Sequence, residues 1–199
     1  ESAIPVPARV TRGDSAHMRL PDEAVDLVVT DPPYFDEAAY ADLSDFFYVW
    51  LKRMLGDEFP EVLATPQTPK ADEATALKHR HGGDAEAADQ HFGNKLAEVF
   101  TEAKRITVRD GLSVVIFAHQ ETEAWTALIH SLFAAGVSID ATWPIDMERK
   151  ARPRGINSAA LETSIAVVCR PRSIGGAASF KDVRREIEHV VRESVKRFW

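Results

Sequence analysis

Asp31, Pro32, Pro33 and Tyr34 stand together at the end of a short run of apolar β-formers, Val25, Leu27, Val28 and Val29. Two consecutive prolines cannot continue a central ladder, because each lacks a backbone N–H and has its φ fixed, so the strand must end where the acid begins. Open α/β sheets bind their ligands beyond the carboxyl ends of their strands, which is where this order of residues places the Asp31 carboxylate. The stiff Pro-Pro unit aims that carboxylate and the carbonyl of Pro32 toward one point, with the flat Tyr34 ring beside them. Such a group suits a planar amino substituent on a ring: two acceptors take its two N–H hydrogens while the aromatic stacks on the ring. Amino hydrogens held in this way leave lone-pair density on nitrogen, which can attack an electrophilic methyl group. That chemistry needs no covalent nucleophile from the protein, and the lone Cys169 lies inside a strand pattern, as an inert core thiol would.

The corner is followed by a helix that keeps Leu43, Phe46, Phe47, Trp50 and Met54 on one face, at the three-and-four spacing a period of 3.6 requires. Downstream, Pro60, Pro66 and Pro69 imply an irregular connection from Gly56 to Lys70. The polar stretch to Asp84, with Lys78-His79-Arg80-His81, reads as a solvated loop rather than a metal site. Together, 56–84 form a loop insertion or lid. The spacing then predicts a helix over Ala85–Val108, a turn at Asp110-Gly111, a buried strand through GLSVVIFAHQ covered on both faces, and a helix over Thr122–Ala135 stopped by Gly136. Strands over Val137–Pro144 and Thr163–Cys169 should pair antiparallel, and an amphipathic surface helix closes the chain over Phe180–Trp199. A short strand over Ala8–Gly13 precedes all of these. Strands alternating with helices argue for an α/β fold with a parallel, doubly wound sheet.

Asp-Pro-Pro-Tyr after a strand resembles the catalytic motif of amino-group DNA methyltransferases that use S-adenosylmethionine. The wider run, DPPYFDEAAYADLSDFFYVWLKR followed by Thr68-Pro69-Lys70, resembles more narrowly the large adenine-specific DNA methylases that also carry a zinc ribbon. The resemblance implies a Rossmann-like methyltransferase fold. It gives Asp31, Pro32, Pro33 and Tyr34 the catalytic corner, with Asp31 also next to the cofactor, and makes Asp14 a second cofactor-side acid, although a turn acid is nearly as good a reading. Tyr40, His119 and Trp143 are secondary candidates for the substrate pocket, against the plainer reading of packed core side chains. Arg149, Lys150, Arg152 and Arg154, the densest basic segment, are the candidate nucleic-acid contacts. The target base would be flipped out of its duplex. Similar methylases act in restriction-modification. Cytosine's amino group, an RNA base or a protein amide is the rival acceptor, and a non-catalytic half-domain serving as scaffold or DNA-recognition partner is the rival class.

Part of that family's pattern is missing. The chain has no GxG turn after a buried strand, and only one cysteine, too few for a zinc ribbon. Against the family sheet order 3-2-1-4-5-7-6, it runs from just before the third strand to the seventh. The first two strands then belong to a missing N-terminal half, in the same polypeptide or another subunit, or the exposed edge pairs with another copy; without them one edge of the fourth strand stays open with apolar surface facing water. The 199 residues suffice for one partial catalytic domain. At 24 basic against 31 acidic residues the net charge of −7 has the wrong sign for a surface that grips nucleic acid throughout, so DNA contact must be local. No apolar run approaches the roughly 20 residues of a membrane span, and the single cysteine fits a reducing, cytoplasmic setting.

Overall fold

The computed structural model describes residues 13–145, 164–172 and 179–198. In chain order these form β1 (Val25–Thr30), α1 (Tyr40–Leu55), α2 (Pro60–Leu63), a 3-10 turn (Lys78–His81), α3 (Ala85–Ile106), β2 (Thr107–Phe117), α4 (Thr122–Ala134), β3 (Val137–Ile145), β4 (Ser164–Pro171) and α5 (Phe180–Phe198). Most of the strand expected at Ala8–Gly13 and all of the basic segment around Arg149, Lys150, Arg152 and Arg154 lie outside the described residues.

The four strands form one mixed sheet in the order β1-β2-β4-β3, with β1 parallel to β2 and the other two pairs antiparallel. This is an α/β arrangement with the expected antiparallel β3–β4 edge. Pro144 is tolerated in β3 because β3 lies at a sheet edge. The core lies between the sheet and α3 and α4, where Phe92, Leu96 and Phe100 of α3 and Leu128 and Leu132 of α4 meet Val115 and Phe117 of β2. Gly136, at φ 73°, stops the turn after α4 as its sequence position predicts.

Two expectations are corrected. The third helix ends at Ile106 rather than Val108, and no turn separates it from β2, because Thr107 leaves helical geometry directly for φ −83° and ψ 133°. Val25 pairs with Thr107 but Leu27 pairs with Leu112, so β2 advances five residues (112 minus 107) while β1 advances two (27 minus 25), and Val108–Gly111 bulges from the ladder. A Cβ on Gly111 would lie 2.8 Å from the Asp26 carbonyl oxygen and 3.0 Å from that of Val108, so glycine is what lets the two strands close up there. Nor is β2 covered equally on both faces. Its odd-numbered residues from Gly111 to Phe117 are buried while Leu112, Val114 and Ile116 are only half-buried. Their register partners on β1, Leu27 and Val29, are 53% and 60% exposed. Among the described residues that second sheet face is largely bare, and the outer edge of β1 has no partner strand.

Candidate active site at the carboxyl end of β1

The chain leaves β1 at Thr30 and turns at once, as the two prolines require. Asp31 is exposed, Pro32 is buried, and Pro33 and Tyr34 are half-buried. The turn is fastened by Phe35, which sits at the unusual φ of 54° with its ring buried edge-on against Phe92 (5.1 Å between centroids) and His119 (5.5 Å). Its N–H donates to the Pro33 carbonyl at 3.1 Å, and its own carbonyl accepts from the Ala76 N–H at 2.9 Å. An aromatic residue in left-handed geometry persists only where its surroundings over-determine it. Here the core holds the ring, and the 70–76 loop holds the backbone.

Asp31 opens onto a cleft of about 770 Å³. Its walls are the turn itself, the 13–15 segment, the N-terminal end of α1 (Tyr40, Ala41, Ser44), the loop from Thr68 to Ala74, and Leu96 and Val99 of α3. Asp14 lines it too, though in the manner of a turn acid: its carboxylate accepts from the Ala16 N–H at 2.9 Å and lies 3.2 Å from His17 Nδ1, and these contacts hold its pKa below the usual carboxylate value. The 13–22 segment is kept in place from α3, where Glu102 accepts from the Met18 N–H at 2.7 Å and Arg105 reaches the Leu20 carbonyl at 2.9 Å. The cleft is acidic, with Asp14, Asp31, Asp72 and Glu73 on its walls and no lysine or arginine among its described lining residues.

Of the sequence candidates, Asp14, Asp31, Pro32, Pro33 and Tyr40 therefore share one cleft, while Tyr34, His119 and Trp143 are not among its lining residues. Tyr34 stands just behind Asp31, edge-on to Phe117 at 5.5 Å; burial first, and then the Asp31 carboxylate, push its phenol pKa up to about 12. His119 is a buried structural residue: its Nε2 lies 3.3 Å from Asp36, its Nδ1 accepts from the Glu121 N–H at 3.1 Å, and its carbonyl accepts from Trp125 Nε1 at 3.0 Å. It supports the turn from below. Trp143 is exposed on the edge strand β3, neither packed in the core nor facing the cleft. Cys169 is fully buried, and burial raises its thiol to about 11, consistent with an inert core thiol.

The loop reading of 56–84 missed how firmly this segment grips α1. Thr68 Oγ1 lies 2.7 Å from both the Ala41 carbonyl and Asp45 Oδ1, Lys70 Nζ lies 2.5 Å from Asp45 Oδ2, and Glu73 accepts from the Ala41 N–H at 3.0 Å while pairing with Arg80. Tyr48 and Lys52, further along the same helix side, donate to the Thr65 carbonyl at 2.8 and 2.7 Å. The spacing 45, 48, 52 was legible as one helix face, but its partners are distant in sequence and nothing local points to them. Lys70, followed by Thr68, lowers the Asp45 pKa from 3.8 to about 2. A folded-state pKa below the ordinary value means this contact contributes fully above about pH 4 and fades as the pH falls toward 2. The grip on α1 should loosen across that window, seen as a step in Trp50 fluorescence against pH, and Asp45→Asn should abolish the step.

No protein-family model and no curated protein matches the sequence. Among solved structures, crystals of TTHA0409, described as a "putative DNA modification methylase" from Thermus thermophilus, are similar to this chain at 17% identity and a TM-score of 0.44. The selenomethionine form of that protein gives 16% and 0.42, and its complex with S-adenosyl-L-methionine gives 16% and 0.41. Each alignment covers 85% of this chain and 55 to 57% of the other, so this chain spans little more than half the length of those structures.

Proposed function

We propose that this chain is the DPPY-bearing portion of an S-adenosylmethionine-dependent DNA methyltransferase that acts on the exocyclic amino group of adenine. The observation that carries the reading is the Asp31-Pro32-Pro33-Tyr34 corner at the carboxyl end of β1, with Asp31 exposed on a cleft large enough for a ligand. In this reading the Asp31 carboxylate and the Pro32 carbonyl take the two amino hydrogens, Pro33 stiffens the corner, and Tyr34, which stands behind Asp31 rather than on the cleft wall, turns its ring forward to stack on the base. Tyr40 lines the approach to Asp31. The donor set fits the cofactor, since its sulfonium and ammonium are cationic and the cleft offers the carboxylates of Asp14, Asp31, Asp72 and Glu73. When bound, the cofactor supplies the electrophilic methyl group. The same acidity repels a phosphate backbone, so DNA must be gripped elsewhere, and Arg149, Lys150, Arg152 and Arg154 are the proposed contacts.

The open edge of β1 and the bare sheet face support a second element of this reading. Further strands, helices and a glycine-rich cofactor turn come from polypeptide outside this chain, in the same protein or another subunit. Calorimetric titration with S-adenosylmethionine tests it. The chain alone should show no binding at micromolar concentrations, whereas the completed protein should bind the cofactor and methylate adenine-containing DNA. Micromolar affinity of the isolated chain would refute the missing half, and methyl groups found on cytosine, RNA or protein instead would refute the acceptor.

A further inference from the structure

The outward face of α1 carries Leu43, Phe46, Phe47, Trp50, Leu51 and Met54 in one stripe, with exposures from 44% at Leu51 to 68% at Met54. The helix cannot roll to bury this stripe, because its opposite side is tied to the 64–80 loop through Asp45, Tyr48 and Lys52. We propose that the stripe is a self-association surface, on which α1 packs antiparallel against α1 of a second copy of this chain. This goes beyond the methylation reading and does not depend on it.

Three observations favour a second copy over another occupant. First, the stripe is self-complementary. About a two-fold axis between Tyr48 and Val49, Leu43 falls opposite Met54 of the second copy, Phe46 opposite Leu51 and Phe47 opposite Trp50, so large side chains meet large ones along the whole seam, as an isologous contact requires. Second, the helix dipoles oppose. Antiparallel pairing sets the first turn of each α1 beside the last turn of the other, where the Arg53 guanidinium stands over the Trp50 ring of the stripe. Third, the area suits. Aromatic side chains bury about 150–250 Å² each, so three half- to two-thirds-exposed rings with Leu43, Leu51 and Met54 offer on the order of 600 Å², near the roughly 800 Å² per partner of a stable interface. The stripe spans most of a 16-residue helix, about 24 Å long, so the contact is a continuous ridge rather than one plug.

Sedimentation velocity across a concentration series, with the 22.1 kDa chain as the unit, is the test. The expected result is a monomer–dimer equilibrium with the dimer dominant at tens of micromolar, accompanied by a blue shift of Trp50 fluorescence that a Trp50→Phe control removes. Phe47→Glu, and separately Met54→Glu, should shift the midpoint at least tenfold toward monomer while leaving thermal unfolding of the monomer unchanged, since both side chains are exposed. Val29→Lys, on the open side of β1, should leave the dimer intact. A chain that stays monomeric at 100 µM overturns the proposal. So does a dimer abolished by Val29→Lys but not by Phe47→Glu, which would assign association to the sheet. A Trp50 blue shift that appears only when the completing half is added would assign the stripe to that polypeptide instead.

Discussion

Phe35→Ala is expected to destabilise the chain by about 3–5 kcal/mol, the usual cost of truncating a fully packed phenylalanine, and to dissolve the Asp31–Tyr34 corner with it. The ring is 5% exposed and lodged between Phe92 and His119, so its loss leaves a cavity beneath the Pro-Pro unit. Two effects are superposed at this residue and can be separated. The left-handed backbone, φ 54°, costs a non-glycine residue about 1–2 kcal/mol, and the ring returns more than that by packing. Phe35→Gly should therefore recover only that smaller share, leaving most of the loss in place. Urea unfolding gives the free energies. Hydrogen exchange at the Ala76 amide, which donates to the Phe35 carbonyl, reports on the corner itself. A loss below about 1 kcal/mol with Ala76 still protected would mean that the prolines alone hold the turn.

Phe35 also marks where sequence reasoning stops. The Val25–Thr30 strand, the apolar stripe of α1, the α3 and α4 helices and the antiparallel β3–β4 edge are legible, because each is written in local periodicity and punctuated by proline or glycine. Asp31 as the exposed acid at a strand end was legible for the same reason. That Phe35 would be left-handed and core-bound was not, since its anchors, Phe92 and His119, lie far along the chain. The bulge at Val108–Gly111 was hidden because valine and arginine suit helix, strand and bulge nearly alike, and only the Cβ-free approach at Gly111 reveals it. The amphipathic pattern of α1 is plain in the sequence, but a pattern says which residues share a face and not which way that face points. In this chain the polar side turns inward, because Asp45, Tyr48 and Lys52 find partners on the 64–80 loop that the aromatic residues do not. His119 went the other way, its place at a strand end suggesting a pocket and its hydrogen bonds making it a brace.

Asp31→Ala should leave the fold intact and lower methyl transfer by the completed protein on the order of a thousandfold, the scale seen when one pre-aligned polar contact to the reacting group is removed. The fold is insensitive because Asp31 is exposed and the group it acts on is the nearby Tyr34 phenol of the same turn, in contrast to Phe35 four residues on, which is locked into the core. Asp31→Asn should lose less, since the amide oxygen still accepts one hydrogen although its charge is gone. A readout on the isolated chain checks the geometry without any activity. Burial and the Asp31 carboxylate together hold the Tyr34 phenol at about 12, against an ordinary 10. Removing the carboxylate should bring the phenol down part of the way, stopping short of 10 because burial, the larger cause, remains. Tyrosinate absorbance in a Tyr40→Phe, Tyr48→Phe background isolates Tyr34, the remaining tyrosine of the three. A phenol that stays at its raised value in Asp31→Ala would place the carboxylate away from the ring. The amino group could then not be held between acid and aromatic, and the methyl-transfer reading would lose its physical basis even if the variant were inactive for other reasons.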